Sequence, residues 1–171
     1  MAFNLSNPIS INDSVNSLLI DNFSSDEARK IIYIDNHRID SNGGTFMNKV
    51  EPMPEPYYSA IYSSASSYAG GADIHGAVIQ TILDEISIRE NITPLPVSYS
   101  INAFSIDITN MNMLVSYYTG SGNKDFLIEG SPFMDLINNA STAAGADVYA
   151  ALKHGLYSEL SNFYGMTGTI V

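Results

Sequence analysis

The sequence predicts an α+β domain, helices packed on one face of an antiparallel sheet, and three observations carry that expectation. Residues 104–109 alternate apolar and polar side chains, Phe104, Ile106 and Ile108 against Ser105, Asp107 and Thr109, the mark of a half-buried strand. Asp147 to Tyr164 carries Val148, Ala151, Leu152, Leu156, Leu160 and Phe163 at helical spacing, and Gly165 follows where a helix end favours a left-handed residue. Ser10 to Phe23 places Ile11, Val15, Leu18, Leu19 and Phe23 on one helical stripe, with Asn12 or Asp13 available as the N-cap.

Between these ends the elements follow in order. A short helix is expected from Ser25, helped by Asp26 and Glu27 in its first turn, before Ile31-Ile32-Tyr33-Ile34 turns β-like. Asp40 to Asn48 reads as loop. Pro52-Met53-Pro54-Glu55-Pro56 is an extended connector, because each proline lacks a donor and restrains the residue before it. Tyr57 to Ser64 reads as a tyrosine-rich strand, closed by the turn Ala69-Gly70-Gly71.

Ala77 to Arg89 fits either a helix stripe, through Ile79, Ile82, Leu83 and Ile86, or an interrupted strand face. Met113 to Tyr118 is expected to hairpin back on the 104–109 strand through Asn110-Met111-Asn112. Ser131-Pro132 opens a helix, serine as N-cap and proline in the first turn, running into Phe133, Met134, Leu136 and Ile137.

Composition narrows the function. The 171 residues suffice for one domain, taken here as 1–171. Eighteen acidic against seven basic residues give a formal charge of -11, a field that repels phosphate backbones and argues against nucleic acid as a partner. The absence of cysteine removes disulfides, thiolate metal sites and a cysteine nucleophile together. No G-x-S-x-G, H-E-x-x-H or Walker pattern occurs, and Asp35 to Gly44 lacks the closing Glu of a calcium loop, so the expectation is a non-enzymatic protein. Met1-Ala2-Phe3 begins without a basic, apolar leader, and no apolar run reaches the length that spans a bilayer.

Two of the three histidines stand in turn-rich surroundings: Asp35-Asn36-His37-Arg38 ahead of Asn42-Gly43-Gly44, and Gly70-Gly71-Ala72-Asp73-Ile74-His75-Gly76. Two loops each offering an imidazole could close on opposite faces of a flat ligand such as haem. Each histidine also has an ordinary structural reading, as a solvent-facing or turn-capping side chain.

From about Ile34 to Arg89 the order of these segments resembles the secreted haemophores of the bacterial haem-acquisition (Has) system. The matching pieces are Asp35-Asn36-His37-Arg38, Ser41-Asn42-Gly43-Gly44-Thr45-Phe46, Tyr58 to Ser66, Ala69-Gly70-Gly71-Ala72-Asp73-Ile74-His75, and Leu83-Asp84-Glu85-Ile86-Ser87-Ile88. The resemblance implies a curved antiparallel sheet backed by helices, with ferric haem (haem b) held between two loops. It further implies secretion to the extracellular side without a cleaved N-terminal signal, and delivery of the haem to an outer-membrane haemophore receptor.

On that likeness His37 stands where the family's histidine ligand stands. The family's second ligand, a tyrosinate steadied by a neighbouring histidine, has no counterpart here: Gly76 occupies the tyrosine position and the following stretch is shortened. His75 would then complete a bis-histidine pair. Tyr62 and Tyr68 are the fallbacks, and an open or water-filled face is a further arrangement. Arg38 is a candidate for a propionate, since a guanidinium fork matches a carboxylate. The alternative function is an interaction module of the same fold without tight haem ligation, and the tyrosine-rich, weakly charged surface would tolerate a homodimer.

Overall fold

The computed structural model describes residues 3–5, 10–11, 13–40 and 42–170, with side chains placed for 17–40, 42–45 and 48–169. In chain order the elements are β1 (Phe3–Leu5), β2 (Ser10–Ile11), β3 (Asp13–Asp26), β4 (Ile31–Asp40), β5 (Thr45–Met53), α1 (Tyr57–Tyr68) and α2 (Ile74–Glu90). Then come β6 (Ser100–Asp107), β7 (Asn112–Tyr118), β8 (Asn123–Glu129), α3 (Ser131–Ala144), α4 (Val148–Tyr164) and β9 (Gly168–Ile170).

The sheet runs β5-β4-β3-β6-β7-β8, antiparallel throughout, curved and backed by the four helices, so the α+β expectation holds. β1 extends the other end of β3 and pairs in turn with β9. One contiguous core lies between sheet and helices, with Phe23, Ile32, Ile34, Phe104, Phe133 and Tyr157 essentially sealed.

The segment from Ser10 to Phe23, expected as a helix, is strand β2 and most of β3. Leu18 and Ile20 point inward, a bulge between Ile20 and Asn22 resets the register, and Phe23 and Ser25 continue the inner face. Ser, Asn and Asp crowd this stretch and compete with the helical backbone for hydrogen bonds, so pairing with β4 prevails. The short helix expected from Ser25 is absent: Ser25 and Asp26 end β3 and residues 27–30 turn into β4. The loop expected over 40–48 is shorter, because β5 starts at Thr45. Pro52 sits in β5, an edge strand, where a missing donor is tolerated.

Tyr57 to Ser64, expected as a strand, is helix α1. Tyr58, Ile61, Tyr62 and Ala65 form its buried stripe, a helical spacing that overrides tyrosine's preference for strands. Gly155 of α4 lets the two helices meet: a Cβ there would stand 2.3 Å from the Ile61 carbonyl oxygen. α2 resolves the ambiguity at Ala77 to Arg89 as helix, with Asp73 accepting a 2.8 Å N-cap bond from Gly76.

The hairpin of β6 and β7 and helices α3 and α4 stand as expected, with Asp147 capping Ala150 at 3.0 Å and Gly165 left-handed at φ 62°. At α3 the N-cap is Gly130 rather than Ser131. No helix of the described residues is long and apolar enough to cross a membrane.

Candidate functional site

β4 alternates strictly: Ile32, Ile34, Asn36 and Arg38 are buried under the helices, while Tyr33, Asp35 and His37 lie on the outer face. The pleat therefore separates two neighbours in sequence, sending His37 outward and Arg38 inward. His37 sits in a strand, paired across from Leu19, and not in a loop as expected.

On the outer face the His37 Nδ1 stands 2.7 Å from Asp21 Oδ2, the histidine side chain 16% and the aspartate 35% exposed. A carboxylate only accepts, so Nδ1 carries the proton and donates it. The Nε2 lone pair of the neutral ring is left over, and no described group bonds it. This is the carboxylate-imidazole arrangement that orients a histidine for coordination. Asn22 extends the polar patch by donating to Asp35 at 3.4 Å.

His75 belongs to a different place. It lies in the first turn of α2, its Nε2 3.0 Å from Glu27 Oε2 in the β3–β4 turn and 3.3 Å from the Tyr58 hydroxyl, its ring 4.2 Å from that of Tyr62. Tyr58 donates to Glu27 at 2.9 Å, Ser25 donates to the other carboxylate oxygen, and Tyr62 donates to Ser25 at 3.2 Å. Burial works against the Glu27 charge, yet the bonds from His75 and Ser25, the charge of His75 and the bond from Tyr58 together hold its pKa at about 2. Burial and then the Glu27 charge push the Tyr58 and Tyr62 phenols above their ordinary range.

The two histidines are not brought together. Glu27 lies beyond the last ladder pair, Asp26 with Ile31, while His37 is six residues further along β4, about 20 Å away at the rise of a strand. They also occupy opposite faces of the sheet, far outside the reach of one iron. Bis-histidine ligation by His37 and His75 does not fit this arrangement, and Arg38 cannot share a ligand with His37 on the outer face.

Nor do the fallback tyrosines meet His37. Tyr62 is buried in the Glu27 network, and Tyr68, 54% exposed at the end of α1, stacks on the His154 ring at 4.1 Å. Five clefts of about 320 to 480 Å³ on the described surface lie elsewhere, and neither His37 nor His75 lines any of them. Among the described residues no group of three His, Cys, Asp or Glu side chains is arranged to hold a metal ion.

Two carboxylates that complete these sites escaped the sequence reading. Asp21 is 16 residues from His37 and Glu27 is 48 from His75, so only the folded register joins them. Comparison with protein-family models, curated proteins and solved structures returns no match, and the site rests on its own geometry.

Proposed function

We propose that this chain is a non-enzymatic protein that captures ferric haem, taking the iron on the Nε2 of His37. The observation that carries the proposal is the Asp21–His37 pair, which fixes the tautomer and leaves the Nε2 lone pair without a described partner on the outer face of the sheet. Haem suits a single imidazole better than a bare ion does, because the macrocycle brings its own four nitrogens. His37 would be the side chain that holds the haem iron, as His75 and Tyr62 are held by Glu27 and Ser25. Secretion and hand-over to an outer-membrane receptor belong to the same proposal and rest on the family resemblance.

A visible-absorption titration of the purified protein with ferric haem tests it, run beside His37→Ala and His75→Ala. A saturable one-to-one Soret shift that His37→Ala abolishes and folded His75→Ala retains is expected. Absence of a saturable shift, or a shift indifferent to His37→Ala, overturns it.

A second reading, an interaction module without tight haem ligation, draws on the apolar pair Leu114 and Leu127. They face each other across β7 and β8 and are 47% and 46% exposed. Sedimentation showing self-association, lost in Leu114→Ser with Leu127→Ser, would favour it.

A further inference from the structure

Inside the sheet, two residues along β4 from the buried Asn36, the Arg38 side chain is only 6% exposed, with its guanidinium carbon 4.7 Å over the Tyr164 ring. Among the described residues no carboxylate lies within ion-pair distance of it. Arg29, Lys30, Lys49, Arg89 and Lys124 are each paired with a carboxylate, and Lys153 lies over the Tyr149 ring. In a chain with eighteen acids and seven bases, the deeply buried Arg38 is without an acid among the described residues. Burying a charge that no described residue compensates is costly, so the arrangement favours a bound counter-ion.

Two further features mark the spot. Lys49 Nζ lies 5.6 Å from the same ring centre and is held 2.6 Å from Glu51, which also accepts from the Tyr164 hydroxyl. Glu51 is thus taken by Lys49 and the Tyr164 hydroxyl, and Arg38 on the same ring is left without it. Beside them Asn36 spends its amide nitrogen on the Lys49 carbonyl at 3.0 Å, while its Oδ1 is sealed without a partner. The sealed, unpartnered polar atoms of the described residues are this oxygen and His154 Nδ1, so the Arg38 nitrogens keep an edge toward solvent.

We propose that Arg38, walled by Tyr164 and supported by Lys49, binds a small oxyanion, a carboxylate or a phosphate, on the inner side of the sheet. The fork offers parallel donors that match two oxygens of either anion, and the aromatic ring holds the guanidinium plane in place. This site is independent of haem capture, since it lies across the sheet from His37.

Isothermal titration of the full chain with inorganic phosphate and, separately, with acetate and citrate tests it at constant ionic strength. Saturable binding with a Kd of about 1 mM or tighter is expected for one anion class, which identifies the source. Arg38→Lys should weaken it by about tenfold through loss of the fork. Arg38→Met, checked for folding by circular dichroism, should abolish it, and Glu51→Gln should tighten it by releasing Lys49. Absence of saturable binding by every anion, or equal binding by folded Arg38→Met, overturns the proposal.

Discussion

His37 with Asp21 and His75 with Glu27 are the same chemical pair in two settings. At the outer face the pair has two members at 2.7 Å, and both side chains keep contact with water. Behind the sheet Glu27 is 9% exposed and gathers His75, Ser25 and Tyr58, with Tyr62 one bond further on. The difference separates availability from stability. The two rings differ in what they hold rather than in exposure, 16% for His37 and 30% for His75: His37 answers to one carboxylate on the sheet, whereas the Nε2 of His75 meets both Glu27 and Tyr58 and fixes the β3–β4 turn against α1 and α2.

The largest effect should come from emptying the buried network. Glu27→Ala strands His75, Tyr58 and Ser25 at once and should cost about 3 kcal/mol in denaturant unfolding, against less than about 1 kcal/mol for Asp21→Ala. Equal losses would break the comparison.

Acid should reveal the same asymmetry. Because the folded pKa of Glu27, about 2, lies below its ordinary value of 4.5, its contribution is present above 4.5 and is lost as pH falls toward 2. Stability of about 3 kcal/mol should disappear between about pH 5 and pH 2, and urea melts of Glu27→Gln should lack that component.

Asp21→Asn sharpens the outer side: haem affinity by absorption titration should fall about tenfold, with the melting temperature little changed. Within the buried network the smallest effect belongs to Tyr62→Phe, which removes the donor to Ser25 at its margin and should cost about 1 kcal/mol in denaturant unfolding.

Local signals carried the second half of the chain. The alternation at 104–109, the Ser131-Pro132 start and the Asp147 to Gly165 helix are each decided by residues within a few positions, and the structure follows them. The first third was less legible, because β3 is held by partners as distant as Phe104 and Ile106 on β6, and spacing alone cannot distinguish its apolar residues from a helical stripe.

The tyrosines of α1 misled for a related reason: Tyr58 and Tyr62 are buried against Ser25, Glu27 and His75, and the same helix meets α4 where Ile61 and Ala65 face Gly155. Of the candidate site, the residue His37 was visible, but its face was not. One step of the pleat decides that Arg38 leaves it, and the carboxylates Asp21 and Glu27 enter only through register.

At the β3 bulge the Ile20 amide donates 3.0 Å to the Tyr157 hydroxyl, a bond that joins positions 137 residues apart. A chain emerging from the ribosome has its central strand long before it has the side chain that completes it. β3 must wait for β6 and then for α4, so the N-terminal meander stays exposed through most of synthesis, and folding closes late and all at once. Truncation before α4 would therefore release a sticky, unclosed sheet rather than a smaller native one.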